Sequence, residues 1–281
     1  MFWRVIFVTP LLLDYDSGRS LITFAPVKTE RKNAPFSLAK LLDDLIGDRL
    51  ESGDVLVISS KFVAISEGRV MSLHEVKKSE YALELSRMYD LSPEFCELVI
   101  RESDEIIGGV SGFILAIKDG LLTPNAGIDK SNIERGKVVL YPRNALESAE
   151  TLAETMKFHR GLDIGIVIAD SRLMPTRRGT VGVAISAVGI EGILDLRGTP
   201  DLFGNVLRVT SQAIADDLCS GAQILMGEAN DAVPVVIVRG LKSRLLKKAS
   251  YSSKSFSIST DQCLYLRSLG YETRRTVPRV S

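Results

Sequence analysis

Residues 164–171 read IGIVIADS, a β-branched run that ends in an acidic and a hydroxylated side chain. A short apolar run of this kind predicts a buried strand, here at 164–169. A second such run, DVLVI, occupies residues 54–58. Segments with helical periodicity alternate with these runs along the chain, so the pattern predicts a mixed α/β fold.

Helix-end signals and periodicity place the remaining elements. Ser92-Pro93 and the Asn144–Glu147 capping box each predict the start of a helix. The apolar stripe of a helix predicted at 211–226 is typical of a helix packed on a sheet. Further helices are predicted at 80–90, 93–102 and 148–158, and further strands at 137–140, 181–185, 206–210 and 233–238.

The composition is that of an ordinary globular protein. Of the 281 residues 45% are hydrophobic, enough for the core of one large domain or two smaller ones. The 35 basic and 35 acidic residues balance, which excludes a general electrostatic footprint for nucleic acid. Three isolated cysteines and two isolated histidines lack the spacing of a structural zinc site and suit a reducing compartment.

The two ends of the chain carry different signals. Residues 1–13 are apolar, but Arg4 and Pro10 interrupt the run, so it predicts a strand rather than a signal peptide or a membrane span. We therefore expect a cytoplasmic protein. Beyond Leu241 the sequence is basic and serine-rich, so the core is expected to end there, with 242–281 forming a solvated appendage or a subunit contact.

Three carboxylates each lie where an apolar segment ends, beside a small or hydroxylated residue. They are Asp129 within NAGIDKSN (125–132), Asp170 within IADS, and Glu228 within MGE. Hard divalent cations take oxygen ligands of this kind, so three converging carboxylates would form a metal-phosphate centre. An aspartate just past a buried strand also points into the crevice where α/β sheets bind ligands.

Each of these residues also has a purely structural interpretation. Asp170 could cap the following turn, Asp129 could belong to a tight turn, and Gly227 could end the preceding helix as its C-cap. Arg177 and Arg178 can bind phosphate oxygens in bidentate fashion, but they could equally form a surface pair. Neither a Walker-type loop nor a GxGxxG occurs, so phosphate binding would depend on metal ions and basic side chains.

Several motifs occur in a fixed order between residues 53 and 241. They are Ser66-Glu67-Gly68-Arg69, NAGIDKSN (125–132), Asp170-Ser171, RRGTVGVAI (177–185), Asp201-Leu202-Phe203-Gly204, Ala215-Asp216-Asp217, Leu225-Met226-Gly227-Glu228, and Val233-Pro234 through Arg239-Gly240. In this order they resemble the CofE family, the coenzyme F-420-0:L-glutamate (gamma-glutamyl) ligases. So many ordered matches make an accidental likeness implausible.

The resemblance implies an α/β fold of mixed sheets with packed helices, assembled as an intertwined homodimer. The ligase domain would span residues 1–241, with 1–25 as an N-terminal extension. The implied activity is a GTP-dependent peptide ligase with two Mg²⁺ or Mn²⁺ ions, and a monovalent cation as a further candidate. By motif position the implied metal ligands are Asp129, Asp170, Ser171 and Glu228, and the implied nucleotide contacts are Asn132, Lys61, Met226 and Gly227.

In the implied reaction a substrate carboxylate attacks the γ-phosphate of GTP and forms an acyl phosphate. The amine of L-glutamate then displaces phosphate to form the amide. Arg177 or Arg178 would stabilise developing charge, and removing such a group commonly costs a few kcal/mol of barrier. The expected partners are therefore a small carboxylate and L-glutamate, with no nucleic acid and no membrane.

This sequence departs from the family around the nucleotide and the acceptor. Ile65 stands where the family has a lysine, and the family's N-terminal nucleotide segment is missing, so Lys28, Arg31 or Lys61 would have to serve the phosphates. The loop at 170–177 is also altered and would contact the acceptor. The leading hypothesis is an amide ligase acting on coenzyme F-420-0 or a related carboxylate. The alternatives are a divergent paralogue that binds nucleotide or metal without ligating, and a metal-dependent phosphohydrolase.

Overall fold

The computed structural model describes residues 21–271, so the strand predicted within residues 1–13 lies outside it. The strands are β1 (Thr23–Val27), β2 (Val55–Ser59), β3 (Val70–Ser72), β4 (Glu105–Val110), β5 (Phe113–Lys118), β6 (Leu121–Pro124), β7 (Lys137–Val139), β8 (Gly165–Leu173), β9 (Thr180–Ile190), β10 (Leu194–Asp195), β11 (Ser211–Gln212), β12 (Val235–Arg239) and β13 (Leu246–Tyr251). The α-helices are α1 (Leu38–Ile46), α2 (Ser60–Ser66), α3 (Glu80–Tyr89), α4 (Pro93–Glu102), α5 (Ala145–Arg160), α6 (Ile214–Met226), α7 (Ser253–Phe256) and α8 (Leu264–Ser268).

Six strands form the central sheet in the order β1-β12-β2-β8-β9-β13. β2 and β8 pair in parallel, with Val55 opposite Gly165 and Ser59 opposite Ala169. The other neighbours in this sheet are antiparallel. The predicted α/β fold, with mixed sheets and packed helices, is therefore confirmed, and the carboxyl ends of β2 and β8 meet at one edge.

Both faces of the central sheet are buried, because successive side chains of a strand point to opposite faces. Val55 and Val57 pack with apolar residues of α6 such as Leu218. Leu56 and Ile58 pack on the opposite face, with α1 and α5. Burying one such side chain contributes about 1.5–3 kcal/mol, which explains why strand β2 reads as an unbroken apolar run.

A smaller sheet, β4-β5-β6, packs beside α3 and α4 around a separate apolar cluster. Phe95 and Leu98 of α4 belong to this cluster, together with Ala126 and Ile128 from the segment that follows β6. Because its apolar residues are buried there, the NAGIDKSN segment is anchored immediately before Asp129. This second cluster therefore fixes one side of the functional site.

Most predicted elements are confirmed with small changes of boundary. The strands at 54–58, 137–140, 164–169, 181–185 and 233–238 correspond to β2, β7, β8, β9 and β12, and the helices at 80–90, 93–102 and 148–158 to α3, α4 and α5. The helix starts at Ser92 and Asn144 are confirmed by side chains that accept hydrogen bonds from Phe95 N and Glu147 N.

The strand predicted at 206–210 is wrong. Val206 forms only an isolated bridge with Pro200, and Val209 is exposed, so these β-branched residues have no sheet face to cover. The helix predicted to begin at Ser211 begins at Ile214 instead. The preceding Ser211–Gln212 forms a short antiparallel ladder with β10.

The predicted end of the core near Leu241 is also wrong. Leu245 is buried with the residues around α6, and β13 extends the central sheet by pairing with β9. Ser253 then donates a buried hydrogen bond of 2.9 Å to the carbonyl oxygen of Ile185. The chain therefore stays part of the core well beyond residue 241. None of the helices between residues 21 and 271 combines the length and the hydropathy that crossing a bilayer requires.

Candidate functional site

A cleft of 610 Å³ opens at the edge where the parallel strands β2 and β8 end. Ser60 and Lys61 begin α2 on one side, and Asp170 and Ser171 lie on β8. The segment after Ile128 and the loop after α6 complete the walls. This is the place where open α/β sheets present ligand-binding groups.

Asp170 is held from two sides. The Ser60 hydroxyl donates to Asp170 Oδ1 at 2.7 Å, and Arg172 Nε donates to Oδ2 at 2.5 Å. Arg172 is buried and donates further bonds to the Leu122 carbonyl at 2.7 Å and to the Tyr141 hydroxyl at 2.9 Å. Burial raises the pKa of Tyr141, so its hydroxyl stays protonated. The carboxylate of Asp170 is thus fixed, and a buried cation balances its charge.

Asp129 is held by the loop that carries it and by a lysine. Its backbone bridges to Val139 through two hydrogen bonds of 2.9 Å. Lys61 Nζ lies 2.6 Å from Asp129 Oδ2 and 2.7 Å from the Ser131 hydroxyl, while Ser131 N donates to Asp129 Oδ1 at 2.6 Å. Gly127 must be glycine because its φ is +75° and a Cβ would collide with the Tyr141 ring. The predicted tight turn therefore exists, and it aims Asp129 into the cleft.

Asn132 joins two walls of the cleft. The backbone of Asn132 has a φ of +51°. Its side-chain Nδ2 donates a hydrogen bond of 2.6 Å to the carbonyl oxygen of Ala229. Ala229 belongs to the loop after α6, so the NAGIDKSN segment and that loop are tied together. The residue predicted as a nucleotide contact thus lies in the cleft, where it also supports its shape.

The loop after α6 brings Glu228 against Ser171. The Ser171 hydroxyl donates to Glu228 Oε1 at 2.8 Å, and Gln223 Nε2 donates both to Ser171 Oγ at 3.0 Å and to Glu228 Oε1. Gly227 ends α6 with a φ of +68°, and the Asp231 carboxylate occupies the space that a Cβ would need. Gly227 is therefore the C-terminal cap that the sequence allowed, and it also lines the cleft with Met226.

Arg177 and Arg178 are not brought to this cleft. They lie in the exposed turn that joins β8 to β9, beyond Leu173 and Thr180, the last paired residues. Neither side chain lines the cleft formed by the described residues. Eight of the ten predicted site residues therefore line the cleft, and the two arginines do not. The eight are Lys61, Asp129, Asn132, Asp170, Ser171, Met226, Gly227 and Glu228.

The charge of the cleft is predominantly acidic. Its carboxylates are Glu30, Asp129, Asp170, Glu228 and Asp231, and its basic side chains are Arg31, Lys32 and Lys61. Hard oxygen donors of this kind match Mg²⁺ and Mn²⁺ rather than zinc. Within residues 21–271, however, no group of three or more His, Cys, Asp and Glu side chains lies close enough to hold a metal ion. Each predicted ligand is instead bonded to a neighbouring protein donor.

Three residues of the site have no counterpart in the sequence-based interpretation. They are Ser60 and Arg172, which hold Asp170, and Gln223, which holds Glu228. Spacing could have indicated Arg172, because residues two apart on a strand share a face. Gln223 lies one turn before Met226 on α6, so it extends toward the same loop as Glu228.

Comparison with known proteins identifies the family. The family model described as F420-0:Gamma-glutamyl ligase matches residues 27–240. The chain belongs to this ligase family.

Sequences of named relatives align with this chain over most of their own length. The "Coenzyme F420:L-glutamate ligase" of Methanopyrus kandleri is 37% identical over 230 residues, 81% of this chain and 90% of that protein. The proteins of the same name from Archaeoglobus fulgidus and Methanocaldococcus jannaschii are both 38% identical. The first aligns over 204 residues, 73% of this chain and 81% of the relative. The second aligns over 192 residues, 68% of this chain and 77% of the relative.

Ile65, where the sequence resemblance predicts a departure from the family's lysine, lies in the site itself. Its side chain lines the cleft, is 5% exposed, and packs with Ala64 and Val139. An isoleucine offers no charge to a phosphate. The cations of the cleft must therefore come from Lys61 and from the segment that contains Arg31 and Lys32.

Proposed function

We propose that this protein is a metal- and nucleotide-dependent amide ligase that adds L-glutamate to coenzyme F-420-0 or a related carboxylate. The observation that carries the proposal is the convergence of Asp129, Asp170, Ser171 and Glu228 with Lys61 on one cleft, in a chain of the gamma-glutamyl ligase family. The names of its relatives support L-glutamate as the substrate that is joined to the carboxylate.

The chemistry of the donor set suits a hard divalent cation, although the groups of the described residues would have to draw closer together to hold one. Asp129, Asp170, Ser171 and Glu228 would hold Mg²⁺ or Mn²⁺, since all four offer oxygen to the cleft. Ser171 and Glu228 are already in contact at 2.8 Å. When bound, such ions would neutralise phosphate oxygens and so favour attack on phosphorus.

The chain's own residues would bind and orient the nucleotide, proposed to be GTP. Asn132 holds the two loops between which the nucleotide would lie, and Gly227 lets the second loop turn back against Asp231. Lys61 is the cleft cation best placed to stabilise developing negative charge, because its Nζ lies beside Asp129. A catalytic role for Arg177 and Arg178 stays a prediction, since their turn lies outside the cleft of the same chain.

The proposed reaction has two steps. A carboxylate oxygen of the acceptor attacks the γ-phosphorus, the bond to the nucleoside diphosphate breaks, and an acyl phosphate forms. The amine of L-glutamate then attacks the acyl carbon, phosphate leaves, and the amine proton is released as the amide forms. The cleft walls would exclude water from the acyl phosphate, which otherwise hydrolyses.

We also propose that the protein acts as a homodimer. Residues 194–212 form an arm whose apolar side chains are uncovered: Leu202 is 101% exposed and Phe203 is 91% exposed. Exposed apolar groups this close together mark a protein contact surface. A second copy of the chain is the partner that the family resemblance implies.

The ligase proposal is tested by measuring phosphate release and amide formation with GTP or ATP, Mg²⁺ or Mn²⁺, L-glutamate and a panel of carboxylates that includes coenzyme F-420-0. A ligase releases phosphate only when glutamate and an acceptor are both present. Phosphate release indifferent to glutamate would identify a phosphohydrolase, and metal binding without turnover would identify a non-ligating paralogue.

Asp129→Asn is the decisive variant. It removes the charge while keeping the shape, so we expect at least about 100-fold lower activity with an unchanged melting temperature. Asp170→Asn should also inactivate, but with some loss of stability because Arg172 loses its counterion. Asp44→Asn on the exposed side of α1 is the matched control. Retained activity in both site variants would show that the cleft was assigned wrongly.

A further inference from the structure

Three basic side chains line the cleft, and they differ in what they already bind. Lys61 lies 2.6 Å from Asp129 Oδ2, and Lys32 Nζ lies 4.0 Å from Glu30 Oε2. Arg31 is exposed, and its guanidinium forms no hydrogen bond or ion pair with any residue between 21 and 271. Of these three cations, Arg31 is therefore the one with neither a hydrogen bond nor an ion pair among the described residues, whereas Lys61 has both and Lys32 has an ion pair.

The segment that carries Arg31 is fixed on both sides. Before it, Thr29 N donates to the carbonyl oxygen of Ala232 at 3.0 Å, in the loop that also carries Glu228. After it, Asn33 Nδ2 donates to Glu134 Oε1 at 3.0 Å, just beyond the NAGIDKSN segment. Arg31 thus lies between attachments to the two loops that supply the acidic residues of the cleft.

The charge of Arg31 acts on Glu134, but other groups dominate at that carboxylate. The pKa of Glu134 is lowered first by its hydrogen bond with Lys137, then by the charge of Lys137 and the hydrogen bond from Asn33, and only weakly by the charge of Arg31. Lys137 Nζ lies 2.7 Å from Glu134 Oε2. Glu134 is therefore already satisfied, and the Arg31 guanidinium is left for a ligand.

We propose that Arg31 binds the polyphosphate of the nucleoside triphosphate. A guanidinium presents parallel N–H groups that match two phosphate oxygens, which an ammonium group cannot do. Lys28 in the same segment does not line the cleft, and Ile65 in the opposite wall has no charge. This inference rests on the proposed ligase function and names a residue that gives the site its affinity for phosphate.

The test is the affinity of the full-length protein for GTP and for ATP, measured by calorimetry with Mg²⁺ at several salt concentrations. Arg31→Met should raise Kd about 10-fold and flatten its dependence on salt, because one cation–phosphate contact is lost. Arg31→Lys should recover part of the affinity. Lys40→Met, an exposed lysine on α1 away from the cleft, is the control and should stay within about 2-fold of the wild type.

The outcomes separate this inference from the proposed function. A Kd for Arg31→Met within about 2-fold of the wild type, at unchanged salt dependence, overturns the role of Arg31 even if glutamate is still ligated. If Arg31→Met binds nucleotide more weakly and with less salt dependence, but the wild-type protein forms no amide, the phosphate contact is supported and the ligase function is rejected. A wild-type chain that binds neither nucleotide overturns both.

Discussion

Asp170 and Arg172 lie two residues apart on β8, and this spacing brings the guanidinium onto the carboxylate. Arg172 is 5% exposed, so removing the Asp170 carboxylate would leave a buried guanidinium without its counterion. Breaking a pair of this kind typically costs about 3–5 kcal/mol. The pair therefore keeps Asp170 in one orientation before any ligand binds. Replacing either residue is expected to lower the free energy of unfolding.

Asp216 offers a residue-scale prediction of pH dependence. Burial raises its pKa above the ordinary 3.8, even though its Oδ1 accepts a hydrogen bond from Ala184 N at 2.8 Å. Between these two pKa values the folded state holds more protons than the unfolded state, so stability falls as pH rises. Asp216→Asn keeps the acceptor and loses the titration. The variant should therefore gain stability relative to the wild type as pH rises from about 4 to 7.

The measurement is urea unfolding of both proteins at several pH values in that range. Asp44→Asn is the control, because Asp44 is exposed on α1 and is not among the groups that shift the pKa of Asp216. A stability difference between Asp216→Asn and wild type that does not change with pH would contradict the prediction.

The sequence predicts the acids of the site more readily than the groups that hold them. Asp129, Asp170 and Glu228 follow apolar segments, and that position indicates the end of a strand or a helix. Arg172 is harder to predict, because a charged residue after an acidic strand end is usually exposed. Only the extension of β8 to Leu173, which turns residue 172 toward Tyr141, makes its burial understandable.

At the scale of elements, the contact between β9 and α6 depends on Gly182. A Cβ at this position would lie 2.5 Å from the carbonyl oxygen of Cys219 and 3.1 Å from Gln223 Oε1. Gly182→Ala should therefore push α6 outward and cost about 1–3 kcal/mol. Activity should also fall, because Gln223 holds Ser171 and Glu228.

Chemical denaturation and glutamate-dependent phosphate release measure the two effects of Gly182→Ala. Val181→Ala is the matched control on the same strand, since Val181 is partly exposed and makes no comparable approach to α6. If Gly182→Ala has the same free energy of unfolding as the wild type, α6 can move away from β9 without cost, and the close contact at Gly182 does not stabilise the protein.

Elements with a buried face are the ones that the sequence predicts well. The residues of β2 alternate between two buried clusters, so their apolar run has a single explanation. Residues 206–210 also contain three β-branched side chains, Val206, Val209 and Thr210, yet these are exposed and the segment forms no strand. Strand β13 has the opposite character: LKKASY looks like a solvated tail, but pairing with the free edge of β9 makes it part of the sheet.

At the scale of the whole molecule, the arm at residues 194–212 presents several apolar side chains to solvent close together in sequence, among them Leu202, Phe203 and Val209. Its tip is ordered by Asp201, whose Oδ1 accepts hydrogen bonds from Phe203 N and Asn205 N, both at 2.8 Å. These bonds, led by those from Asn205, also lower the pKa of Asp201. An ordered turn that presents Leu202 and Phe203 to solvent is better explained by a partner than by chance.

We therefore expect the wild-type protein to be a dimer and the arm to carry much of the contact energy. Replacing Leu202 and Phe203 by serine removes two apolar anchors from each copy, each worth about 1.5–3 kcal/mol when buried. The dimer dissociation constant should rise at least about 100-fold, as measured by analytical ultracentrifugation. Phe158→Ser is the control, because Phe158 is 87% exposed on α5 and lies outside the arm. A monomeric wild type, or a double variant that dimerises as tightly as the wild type, would show that the arm does not join two copies of this chain.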